Sequence, residues 1–219
     1  RRVRRVVRRR RVPRRRRIVR RRRNFRSRPG KGNFNVKLTR FVSITQDIAK
    51  TTQFAYDITL ADFPEYAPLA NTFERIKLRR AKVTVLPQQN VSNNSTSIMP
   101  DYCMFPWKRE LPQIGTFNTF LSIDRCKLSR GTACMSQTYV PSILVSVETQ
   151  GSVGVGVMSR QVKYRPTLEC TNDTGEVIIY TGGMGMQALT DAPMNAKAHY
   201  NVRIDVWCTF QNQNTLVAK

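Results

Sequence analysis

The side chains best placed to do chemistry stand together at the start of the chain. They are Arg1, Arg2, Arg4, Arg5, Arg8, Arg9, Arg10, Arg11, Arg14, Arg15, Arg16, Arg17, Arg20, Arg21, Arg22, Arg23, Arg26 and Arg28, followed by Lys31. No carboxylate occurs before Asp47. A guanidinium stays charged at any physiological pH and can hold a phosphate through two donors at once. Contacts of that kind go to a nucleic-acid backbone and carry no base information. Val3, Val6, Val7, Val12, Ile18 and Val19 interrupt the charge, and Pro13 prevents one continuous helix. Phe25 is the lone aromatic of the block, so a stacking-based reader of bases is not what it encodes. Binding is predicted to be tolerant of sequence and sensitive to salt. Ten such cations on single-stranded phosphates would make log K fall with log salt at a slope of about −7. Clustered arginine also reads as a nuclear-import signal, and the two uses can share residues because they fall at different times.

The charge is very unevenly divided. The chain has 219 residues, 25.2 kDa and a formal charge of +24. Residues 1–31 hold 18 Arg and one Lys without an acid, hence +19; the remainder holds 19 basic against 14 acidic side chains, hence +5. A block of like charge this long is expected to be a disordered interaction tail. Residues 32–219, beyond the turn-rich Pro29-Gly30-Lys31-Gly32 junction, are long enough to bury one core. The expected organisation is an arginine-rich arm over 1–31 and a single folded domain over 32–219.

Catalytic patterns are thin. His199 is the sole histidine and opens a strand-like run, where a structural role is expected. Cys103, Cys126, Cys134, Cys170 and Cys208 stand far apart in an odd number, against both a disulfide framework and a zinc site. Most are expected to be small buried hydrophobes. GSVGVGVMS and TGGMGMQ lack the Lys-Ser/Thr of a phosphate loop and read as loops, or as strands in tight contact. Asn90, Asn93, Asn94 and Asn172 begin N-x-S/T triplets, which mark exposed loops at most without a secretory signal. Trp107 and Trp207 are expected in the core or at an interface. No enzyme activity, metal or cofactor is expected, and no apolar run reaches the roughly 20 residues that span a bilayer.

The elements that must carry this arm read as strands. In NFNVKLTRFVSI, Phe34, Val36 and Leu38 alternate with Asn35 and Lys37, and the change of phase at Arg40-Phe41 predicts a bulge. A polar connection around DFPEYAP leaves room for a short helix. FERIKLRRAKVTVLP is the longest run: Ile76, Leu78, Ala81, Val83 and Val85 oppose Lys77, Arg79, Lys82 and Thr84, until Pro87 ends it. QQNVSNNSTS is a polar loop. SIMPDYCMF, NTFLSID, TACMSQTYV, ILVSVE and GEVIIYT are further predicted strands. In HYNVRIDVWCTF, Tyr200, Val202, Ile204, Val206 and Cys208 share one face, while Arg203, Asp205, Trp207 and Thr209 share the other. Roughly eight short strands with no amphipathic helix predict an all-β sandwich of two packed antiparallel sheets.

An arginine arm joined to a β-sandwich resembles a small viral coat protein. GNFNVKLTR, RIKLRRAKVTVLP and HYNVRIDVWCTF resemble the first, second and last strands of circovirus capsid proteins, and SQTYVPSIL is similar to a family segment with an aromatic before Pro. The length suits the related cycloviruses. The resemblance implies an eight-stranded antiparallel jelly roll whose arm is disordered. It further implies sixty copies in a T=1 icosahedral shell around circular single-stranded DNA. Entry into the host nucleus through import receptors, and attachment to host cells through sulfated glycosaminoglycans, are implied as well. Lys108, Arg109, Lys127 and Arg130 are candidates for the attachment patch, against a plain reading as scattered surface charge. The expected locations are the virion and the host nucleus.

Two other classes compete with this reading. A ribosomal or chromatin-type protein also binds nucleic acid, but usually spreads its basic charge over the body, whereas this body carries only +5. A hydrolase with a basic targeting tail would need a site that the sequence does not display.

Overall fold

A computed structural model describes residues 32–88, 99–113, 116–150, 156–171, 173–190 and 196–213. The strands are β1 Phe34–Asp47, β2 Thr52–Ala55, β3 Phe73–Pro87, β4 Tyr102–Pro106, β5 Lys127–Ser129, β6 Met135–Tyr139, β7 Ser142–Gln150, β8 Gly156–Tyr164, β9 Thr167–Glu169, β10 Gly182–Met186 and β11 Lys197–Gln213. One sheet runs β1-β11-β3-β6 with β9 added to β3, a second runs β2-β10-β4-β5, and β7-β8 is a separate two-stranded ribbon. Every pairing is antiparallel. The all-β expectation holds. The count of roughly eight strands meets eleven among the described residues: the two four-strand paths hold eight, and β7, β8 and β9 come in addition.

The core lies between the two sheets, and strand periodicity explains it. Leu38 and Ile44 of β1, Ile76, Leu78, Ala81, Val83 and Val85 of β3, and Tyr200, Val202, Ile204, Val206, Cys208 and Phe210 of β11 are all buried. Met104, Met184 and Met186 meet them from the second sheet. Side chains alternate across a strand, so the intervening residues of β1, β3 and β11 stand on the far side of the first sheet.

Three local expectations are corrected. The bulge expected at Arg40-Phe41 is not there, because β1 pairs with β11 in unbroken register from Phe34 opposite Phe210 to Asp47 opposite Lys197. Arg40 keeps the inward position opposite Ile204, and its guanidinium is held 2.6 Å from the Asp62 carboxylate. That carboxylate also accepts the Thr59 backbone N–H at 2.8 Å, so the inward cation is neutralised without bending the strand. The register shift falls instead in the β3–β11 pair, between Trp207 and Cys208, where Arg80 faces Trp207 and Leu78 faces Cys208. It accounts for the three-residue step from Leu78 to Ala81 in the sequence.

NTFLSID is not a strand. Phe117–Leu121 form helix α2, whose i,i+3 pair Phe117 and Phe120 turns toward the same side. Phe120 is buried, and its ring stacks on Phe105 with centroids 5.3 Å apart. GEVIIYT likewise forms no regular strand: Asp173–Glu176 make a 3-10 turn, and Ile179 and Tyr180 contribute isolated bridges to Ile58 and Ser142. The short helix foreseen near DFPEYAP is α1, Tyr66–Ala70. TGGMGMQ proves to be strand β10 in tight contact. A Cβ on Gly185 would come within 2.5 Å of the Phe120 ring, and one on Gly182 within 2.4 Å of the Phe105 carbonyl oxygen.

Candidate nucleic-acid interface

The eighteen arginines from Arg1 to Arg28, together with Lys31, lie outside the described residues. So do the four N-x-S/T asparagines and most of the QQNVSNNSTS loop. The described chain begins at Gly32, just before the edge strand β1.

The far side of the first sheet gathers the cations that strand alternation sends outward. Register places Lys37 opposite Trp207 and Trp207 opposite Arg80, in one row across β1, β11 and β3. The next row holds Thr39, Asp205, Lys82 and Thr138, and the third Phe41, Arg203, Thr84 and Ser136. Lys77 faces Thr209 further along. The β3 irregularity leaves consecutive Arg79 and Arg80 both exposed, where strict alternation would have buried one of them. The Arg79 guanidinium donates to the Thr209 hydroxyl, and the Arg80 guanidinium lies 4.1 Å from the centre of the Trp207 ring.

Asp205 is the carboxylate at the centre of these rows. Its side chain is 9% exposed, accepts from Thr39 Oγ1 at 2.8 Å and from Arg203 Nε at 3.1 Å, and lies 3.7 Å from Lys37 Nζ. It binds Lys37 and Arg203 to the sheet from beneath. Among the described residues no ion pair joins Lys77, Arg79, Arg80 or Lys82 to an acid. The sequence displayed Lys77, Arg79 and Lys82 as one face. It hid the addition of Arg80 and the stacked Trp207, although the step from Leu78 to Ala81 was the available signal.

The attachment candidates do not form one patch of equivalent cations. Lys108 is half-buried and donates to the carbonyl oxygens of Val140 at 2.7 Å and Thr181 at 3.4 Å; burial first, and then nearby Arg125, lower its pKa. That ammonium ties the segment following β4 to Val140 and Thr181. Arg109 is exposed, with its guanidinium 5.2 Å from the Trp107 ring centre, and Lys127 and Arg130 are exposed near β5. A cavity of about 560 Å³ beside Lys108 and Arg109 is lined also by Trp107, Leu144, Arg160 and Val162.

His199 lies near the start of β11, which begins at Lys197, with Nδ1 3.1 Å from the Thr45 hydroxyl across the strand pair. All five cysteines are free: Cys103 and Cys208 are buried, Cys126 and Cys170 half-buried, and Cys134 exposed. Burial pushes the Cys208 thiol up to about 12 and the Cys170 thiol up to about 11, far from the thiolate needed for chemistry at neutral pH. Trp107 and Trp207 are both half-buried, so neither is enclosed in the core.

With this geometry in hand, solved structures supply the class. The 60-mer BFDV capsid protein superposes with a TM-score of 0.62 over 82% of this chain and 94% of that one, at 12% identity. The decameric BFDV capsid protein gives 0.54 over 82% and 99%, also at 12% identity. The fold is that of jelly-roll-like viral capsid proteins. The family model described as circovirus capsid protein matches residues 1–214. The capsid protein of Human associated cyclovirus 1 is 62% identical over 188 residues, 86% of each chain. The chain belongs to the circovirus capsid protein family, as its end strands foretold. It is a structural protein of the virion, in a family that is not a class of enzymes, and the cellular reading falls. Among the described residues, no helix is long and apolar enough to cross a membrane.

Proposed function

We propose that this chain is the single shell subunit of a circovirus-type particle. Sixty copies close a T=1 icosahedral shell, with the two four-strand paths as an eight-stranded jelly roll. Residues 1–31 act as a separate arm that holds circular single-stranded DNA, and residues 32–219 form the shell domain. The observation that carries this reading is the division of charge, +19 in residues 1–31 against +5 in the rest. A shell lining needs contact with the phosphate backbone without preference for sequence, and arginine supplies it. Sixty arms bring about 1,100 positive charges, enough to neutralise a large part of a strand of on the order of one to two thousand nucleotides. The same arginines serve host import receptors and carry the chain into the nucleus. Attachment to host glycosaminoglycans falls to exposed cations elsewhere, of which Arg109, Lys127 and Arg130 qualify better than the internally engaged Lys108.

Deleting residues 1–28 tests the arm. Packaged nucleic acid, read as the ratio of absorbance at 260 and 280 nm, and nuclear accumulation in cells are both expected to be lost, while circular dichroism of the body stays β-rich. A truncated chain that enters the nucleus as well as the full one contradicts the import assignment. One that packages as much nucleic acid contradicts the packaging role.

A further inference from the structure

We propose that the far side of the β1-β11-β3 sheet is a second contact for single-stranded nucleic acid, built into the shell domain and distinct from the arm. The inference rests on the packaging reading above and extends it to residues of the body. Three observations carry it. First, Lys37, Lys77, Arg79, Arg80, Lys82 and Arg203 share this face, and its central carboxylate, Asp205, is almost wholly buried against two of them. Second, the irregularity in β3 adds an exposed arginine to the face at the point where a regular strand would turn it inward. Third, Arg80 lies against Trp207 in the same row as Lys37, so an indole and a guanidinium form a stacked platform among phosphate-binding cations.

The combination of a cationic track with a flat stacking surface suits an unpaired strand, whose bases are free to lie on aromatic or guanidinium planes while its phosphates meet cations. Exposed Phe41 beside Arg203 extends the flat surface by one row. The arm lacks this feature, having only Phe25 among its arginines. The two segments therefore differ in role, since the arm neutralises charge and the sheet face also holds bases.

The test uses the full chain, dissociated to subunits, with a forty-nucleotide oligo(dT) as the probe. The face variant combines Lys77→Gln, Arg80→Gln and Lys82→Gln; an arm variant replaces ten of the eighteen arginines by Gln. For the face variant, the slope of log K against log salt is expected to shrink by about 2, and affinity to fall roughly tenfold or more at moderate salt. Oligo(dT) is also expected to quench tryptophan emission in Trp107→Phe, which keeps Trp207, and not in the conservative Trp207→Phe. An unchanged slope in the face variant, with binding lost in the arm variant, overturns this inference and leaves the arm reading standing. Absence of binding by the unmodified chain overturns both. If heparin in place of oligo(dT) registers the lost charges and oligo(dT) does not, the face serves a sulfated polymer and the proposal falls.

Discussion

The two sheets of the sandwich treat their far sides in opposite ways. Among the described residues, no apolar cluster covers the outer side of the β1-β11-β3 sheet, which carries Lys37, Lys77, Arg79, Arg80, Lys82 and Arg203. The β2-β10-β4-β5 sheet is covered by a second, smaller apolar cluster. Cys103 and Phe105 of β4 point away from the main core and pack with buried Phe120 of α2, and Trp107, Leu111, Phe117, Ile123 and Cys126 close around them. Gly183 and Gly185 of β10 make the cover possible, because a side chain on either would press into Phe105 or Phe120. Strands β4 and β10 are thus buried on both sides, and β4 reads as a continuous apolar run, YCMFP; β3 of the first sheet is buried on one side and reads as alternation.

Substitutions that should matter on one side and not on the other test this contrast. Phe120→Ala empties the centre of the cover and is expected to destabilise the fold by about 3–5 kcal/mol, measured by urea denaturation. A loss below about 1 kcal/mol would mean that the cover adds little. Asp205→Ala is the largest change expected on the open face. It removes the acceptor of Thr39 and Arg203 and leaves two cations facing each other, at about 1–3 kcal/mol. It should also tighten oligo(dT) binding by removing a negative charge, so stability and affinity move in opposite directions.

A pH effect belongs to the covered side. Burial, and then repulsion from Glu110, raise the Asp57 carboxyl from 3.8 to about 6. A carboxyl raised in the folded state binds its proton more tightly there than in the unfolded chain, so its contribution to stability falls as pH rises from about 4 to 6. The thermal midpoint of the unmodified chain is expected to gain more than that of Asp57→Asn when the pH is lowered from 7 to 5. Equal gains would show that Asp57 titrates as an ordinary exposed carboxyl. The smallest effect is expected from Lys82→Gln, which should alter stability by no more than about 0.5 kcal/mol because no described acid pairs with it.

Much of the first sheet was legible in the sequence because one buried side writes a period of two. Val202, Ile204, Val206 and Cys208 against Arg203, Asp205, Trp207 and Thr209 came through directly, as did most of β3. The second sheet was harder for the same physical reason. Burial on both sides erases the alternation, and the glycines of β10 resemble loop punctuation. The α2 segment was mistaken for a strand because five residues are too few to display a helical period. At Arg40 the break in pattern reads as a bulge in the sequence, wrongly, because a distant partner, Asp62, neutralises the inward cation and β1 stays regular. The site was legible as a sum of charge. Its geometry depended on a register shift that composition does not reveal, and the shift brings Arg80 to Trp207.

The most direct test of the central claim, that this chain is a self-assembling subunit packing nucleic acid, is the light-scattering mass of the purified full chain with its 260/280 nm absorbance ratio. The account predicts closed particles near sixty times 25.2 kDa, about 1.5 MDa, carrying nucleic-acid absorbance. A monomer that remains a monomer when single-stranded DNA is added would contradict it.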